Sequence, residues 1–138
     1  MTSDGISKKD WNQVEDLVAN IVNLSAIEKP TVKAKKELFD FLDILEQKYG
    51  RVPSVLATKA DYEDSPYISL SLLKEAYTTA FEMSDFKNMS YISVSLAELY
   101  KDSNRESLAR FWLEIARKDS KLYSDDFVID SIEELESQ

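Results

Sequence analysis

Apolar residues recur at spacings of three and four along almost the whole chain, which is the period of a helix buried along one side. Trp11, Val14, Leu17, Val18, Ile21 and Val22 form the first stripe and predict a helix from Lys8 to about Ser25, with Ser7 as its N-cap. Leu38, Phe41, Leu42, Leu45 and Tyr49 form the second, in a helix opened by Pro30 and Thr31, running to about Lys48 and stopped by Gly50. A short third helix, about Pro53 to Tyr62, carries Val55, Leu56 and Ala60. Pro66 starts the fourth, which extends to about Met83 through Leu70, Leu73, Ala76, Tyr77 and Ala80. The fifth and sixth run from about Asp85 to Lys101 and from about Arg105 to Lys118. The seventh runs from about Ser124 to Glu136, with Phe127, Val128, Ile132 and Leu135 opposite its acids. Helix six is apolar on several sides, through Leu108, Phe111, Trp112 and Ile115, and should lie sandwiched between neighbours.

Two Gly and three Pro are few turn residues for a β-rich domain of this size. No linker rich in Pro, Gly or Ser divides the chain. The pattern predicts an all-α protein of about seven helices in antiparallel hairpins, forming one domain over residues 1–138.

The stretch SLAELYKDSNRESLARFWLEIA, Ser95 to Ala116, has internal order. Leu96, Ala97 and Tyr100 stand on its first helix and Ala109, Leu113 and Ala116 on its second. Small residues at Ala97, Ala109 and Ala116 let two antiparallel helices approach, while Leu96, Tyr100 and Leu113 fill the space around them. A weaker copy lies upstream: LATKADYEDS at Leu56–Ser65 echoes LAELYKDS at Leu96–Ser103, with Ala60 in place of Tyr100 and with Ala76 and Ala80 on the partner helix. This arrangement resembles the tetratricopeptide repeat over about residues 50–120. It departs from that consensus in having Ala57 and Ala97 where Gly is usual, Lys121 where Pro is usual, and a longer loop before Pro66. The resemblance implies a right-handed stack of helical hairpins with a concave groove for protein ligands. Together with KYGRVPSVLATKADY at Lys48–Tyr62, the chain is similar to small bacterial immunity proteins that protect against polymorphic or contact-dependent growth-inhibition toxins.

Composition removes several chemistries. The chain has neither Cys nor His, so it has no disulfides, no thiol or imidazole nucleophile–base pair, and no soft metal site. There is no GxGxxG and no P-loop, and the chain lacks a DxDxDG-type calcium loop. Acid pairs such as Asp40 with Asp43, and Glu133 with Glu136, sit at helical spacing on charged faces. They do not converge across a cleft as a hydrolase requires. No cofactor, no metal and no catalysis are expected; a metal-dependent carboxylate enzyme is the least favoured class. The polar first ten residues and the lack of an 18-residue apolar run predict a cytoplasmic protein without membrane contact.

Charge points to a partner. The chain carries 17 basic and 26 acidic residues, a net −9, and its last twenty residues hold seven acids against Lys121 alone. Such a surface repels nucleic acid and attracts basic proteins. The small basic cluster Lys33, Lys35 and Lys36 reads as a solvated helix start. Two surfaces are candidates for binding a protein. One is the acidic end: Asp125, Asp126, Asp130, Glu133 and Glu134. The other is the expected groove: Asp61, Tyr62, Tyr91, Glu98 and Lys101. The resemblance implies that a monomer of this chain neutralises a cognate toxin domain by occluding its active site, the toxin being a basic domain such as a nuclease. The alternative is a tetratricopeptide-like adaptor or secretion chaperone.

Overall fold

Five of the seven helices begin where a side chain or a proline settles the first free N–H groups. The computed structural model describes residues 1–138 and holds seven helices and no strand: α1 (Lys8–Ala26), α2 (Val32–Tyr49), α3 (Pro53–Tyr62), α4 (Pro66–Met83), α5 (Phe86–Asp102), α6 (Glu106–Asp119) and α7 (Asp126–Glu136). Ser7, Ser65, Asp85 and Asp125 cap α1, α4, α5 and α7 by accepting the N–H groups of Asp10, Ile68, Asn88 and Val128. Pro53 and Pro66 occupy the first turns of α3 and α4, where a missing N–H removes no helical bond. Gly50 ends α2 at φ 88°, a conformation glycine adopts without strain. All seven predicted helices are present, with ends shifted by no more than about two residues.

Sequential helices pack as antiparallel pairs, and α7 returns against α5 and α6. The buried apolar residues fall into three clusters. Ile6, Val14, Ile21, Leu38, Leu42, Leu45 and Val55 join α1 and α2 to the start of α3. Leu56, Leu73, Ala76, Ala80, Met89, Ile92, Leu96, Tyr100 and Ala109 join α3 to α6. Val94, Ala116, Val128 and Ile132 seat α7. Ala97, Ala109 and Ala116 are buried as the repeat predicts.

The sandwiched helix is α5, not α6. Nine residues of α5 are buried, and it touches α3, α4, α6 and α7. On α6 only Ala109, Ala116 and Asp119 are buried, and Phe111 is 56% exposed. The difference has a physical cause. Serines on α5 look like a solvent face in sequence, yet Ser90 and Ser93 are wholly buried. The Ser90 hydroxyl donates to the Tyr123 carbonyl at 2.8 Å, and that of Ser93 donates to the Ser90 carbonyl at 3.1 Å. Small side chains satisfied in this way leave room for neighbouring helices. On α6 the aromatic rings stack edge to face instead. Trp112 meets Tyr77 at 5.1 Å and Phe111 at 5.6 Å between centroids, so Phe111 covers Trp112 and is itself open to water. Asp119, at the end of α6, is buried and accepts a bond from the Tyr77 hydroxyl at 2.9 Å.

Candidate functional site

The first six residues fold back over the helix ends. Asp4 is buried, and its carboxylate accepts the Ser54 N–H at 2.6 Å and the Ser54 hydroxyl at 2.9 Å, thereby capping α3 from a distance in sequence. Asn88, at the start of α5, donates from its amide nitrogen to Asp85 at 2.7 Å and comes within 3.3 Å of Ser54 and 3.2 Å of Ser3. The starts of α3 and α5 are thus held side by side under the N-terminal segment. The start of α7 joins them, because the Tyr91 hydroxyl on α5 donates to Asp125.

Beside this junction lies a groove of about 580 Å³, bounded by α1, α3, α5 and α7. Its apolar wall is Trp11, Ala57, Tyr91, Ile92 and Phe127. Lys8 and Lys87 stand near the helix starts, and Asp61 lies in the last turn of α3 at the other end. The Lys87 ammonium lies 5.9 Å from the ring centres of both Tyr91 and Tyr123.

The structure divides the ten sequence candidates. Asp61 and Tyr91 line the groove. Glu98 lies one turn beyond the groove-lining Ser95 on α5, and its charge is felt at Asp61. Tyr62 faces elsewhere, packing on the α1–α2 core and bordering a smaller hollow with Lys35 and Asp64. Lys101 borders another hollow between α5, α6 and α7 with Arg110, Glu114 and Arg117. Asp125 is engaged within the fold. The Tyr91 hydroxyl, then the Val128 N–H, hold its carboxyl below the usual carboxylate range. Asp126, Asp130, Glu133 and Glu134 are exposed on α7.

Lys8, Trp11, Glu15, Lys87 and Phe127 were absent from the candidates although they line the groove. Lys87, Tyr91, Ser95 and Glu98 follow one another at spacings of four, four and three, and Ser54, Thr58 and Asp61 at four and three. Each set marks one face of a helix, and the two faces are those that meet at the groove.

Asp61 is the unusual titrating group. It lines the end of the groove with its side chain exposed, and it has no hydrogen bond and no ion pair. The surrounding protein, followed by the charge of Glu98, pushes its pKa to about 6. Glu98 is itself raised, first by desolvation and then by Asp102 and Glu134. No group of Asp and Glu residues is arranged to hold a metal ion. No helix is long and apolar enough to cross a membrane.

An acid whose pKa is raised on folding favours its protonated form in the native state. The resulting loss of stability is absent below the unfolded value near 3.8, grows as pH rises, and is complete above about 6. Asp61→Asn should therefore stabilise the protein at pH 7, by about 1 kcal/mol once screening by water is allowed for, and leave it unchanged at pH 3.5. Thermal midpoints at the two pH values check this; an equal gain at both would show that the charge of Asp61 is not the cause.

No protein-family model, curated protein or solved structure matches this chain.

Proposed function

We propose that this protein is a non-catalytic binding protein and, as the resemblance to immunity proteins implies, one that neutralises a basic toxin domain by covering its active site. The supporting observation is the open groove, which sets aromatic faces beside a carboxylate that has no partner within the fold. Exposed aromatic rings together with uncompensated charge suit a protein interface. The net charge of −9 speeds encounter with a basic partner and opposes one with nucleic acid.

Co-expression with a toxin domain encoded beside this protein tests the reading. The expected result is cell survival and a one-to-one complex whose association slows as salt rises, because exposed charges are screened beyond about 8 Å at physiological ionic strength. Cell death in the presence of this protein, with no complex recovered, would refute it. The adaptor reading would then take its place, favoured by the size of the groove: about 580 Å³ accommodates a few residues of one extended segment.

A further inference from the structure

We propose that the groove receives an extended segment of the partner that places a lysine or arginine at the Asp61 end, with an apolar side chain beside it over Trp11, Tyr91 and Phe127. This rests on the reading of the chain as a protein-binding protein and specifies the chemistry that the groove selects.

The apolar part follows from exposure. Phe127 touches the Tyr91 ring edge to face at 5.6 Å, yet 59% of it remains open to water beside the cavity. Trp11 across the groove and Ala57 on its wall add further apolar surface. Covering large rings that are already fixed by packing gains area without ordering them again.

The polarity follows from the parallel course of three helices. α3, α5 and α7 start together, as the contacts of Asn88 with Ser54 and of Tyr91 with Asp125 require. Lys8 and Lys87 stand at that end. Towards the other end come Asp61 on α3, Glu98 on α5 and Glu134 on α7. None of these three acids takes part in an ion pair; the eight acids that do, among them Asp43, Glu46 and Glu75, engage Lys35, Lys36, Lys48, Arg51, Lys59 and Arg117 away from the groove. The C-terminal end of α3 adds its own partial negative charge beside Asp61. A carboxylate arriving there would meet like charge, whereas an ammonium or guanidinium would find an uncompensated one and relieve the repulsion between Asp61 and Glu98. Glu15 on α1 also lines the groove and reinforces the preference.

The spacing can be read as well. From Ser54 to Asp61 the helix rises about 10 Å, which an extended chain covers in about three residues. The favoured segment therefore carries an acidic residue, facing Lys8 and Lys87, about three positions from its basic one.

Selection of a phage-displayed random nonapeptide library on the immobilised full chain tests this. Enriched peptides should carry Lys or Arg next to an apolar residue, with an acid about three positions away. A fluorescein-labelled peptide of the enriched sequence should bind about tenfold more weakly to Asp61→Asn and to Glu98→Gln. Asp61→Lys should prefer the same peptide with its base replaced by Glu. Should Asp61→Lys not fold, Lys87→Glu supplies the reversal at the other end, where it should prefer a peptide whose acid is replaced by Lys. No enrichment, enrichment without a basic residue, or unchanged affinity in Asp61→Asn would overturn the proposal. Failure here is separable from failure of the binding function. If the co-expressed partner binds the groove variants as tightly as the parent, while Asp126→Lys, Asp130→Lys and Glu133→Lys together slow its association, the groove proposal falls and the binding function stands.

Discussion

Leu96→Ala should lower stability by about 4 kcal/mol, in the upper part of the 2–5 kcal/mol range for removing a buried leucine side chain. Leu96 is fully buried in the cluster shared by α3, α4, α5 and α6. The cost of such a cavity depends on how far its walls can close. Here α5 is held on four sides, by α3, α4, α6 and α7, so no single helix can move inward to fill the hole without leaving another contact. Ile44, which is 60% exposed on α2, provides the control: Ile44→Ala should stay within about 0.5 kcal/mol. Urea midpoints at an unchanged slope measure both. Similar midpoints for the two variants would mean that Leu96 is not at the centre of a shared core.

The same helix shows how far the sequence could be read. The positions of all seven helices were legible, because a period of three and four, the cap at Ser7, and prolines at 53 and 66 are local signals. The burial of Ala97, Ala109 and Ala116 was legible because small residues at matched helical spacing have few other uses. Which helix lies in the middle was not legible. That depends on whether Ser90 and Ser93 satisfy their hydroxyls on nearby carbonyls, and on whether Phe111 and Trp112 bury each other or are buried by a third helix. Both are tertiary outcomes that hydropathy scores wrongly.

The candidate site divides along the same line. Asp61 and Tyr91 could be chosen because each is a polar or aromatic residue that the resemblance placed on the expected groove side of its helix. Lys8, Trp11 and Glu15 could not, because α1 lies outside the repeat-like stretch and its stripe reads as core. Asp125 was legible as an acid but not as a cap whose charge is already occupied by Tyr91 and Val128. The short N-terminal segment gave least warning. Its Ile6 is fully buried and its Asp4 serves α3 across 50 residues of sequence.

Asn88→Ala should cost about 3 kcal/mol and should loosen that N-terminal segment before it unfolds the rest. Asn88 is the one side chain that joins α5 to both Asp85 and the Asp4–Ser54 pair. Its amide donates to the Asp85 carboxylate at 2.7 Å, and Asp85 is only 5% exposed. Without that donor a buried carboxylate oxygen loses its side-chain partner, which for a charged group costs at least the upper part of the 1–3 kcal/mol range. Asp4 retains its two bonds from Ser54 and a bond from the Thr2 hydroxyl at 2.6 Å, so the cap on α3 survives in weakened form. The N–H of Ile6 bonds to Thr2 at 2.8 Å and that of Ser54 to Asp4 at 2.6 Å, and the two report on the segment directly. Their amide hydrogens should exchange faster in Asn88→Ala by a larger factor than those of Leu42 or Leu96. Because Thr2, Ser3 and Lys8 border the groove, affinity for a groove-binding peptide should fall in the same variant although Asp61 and Glu98 are untouched. A uniform rise in exchange across all helices would instead place Asn88 in the global core and separate the N-terminal segment from the geometry of the groove.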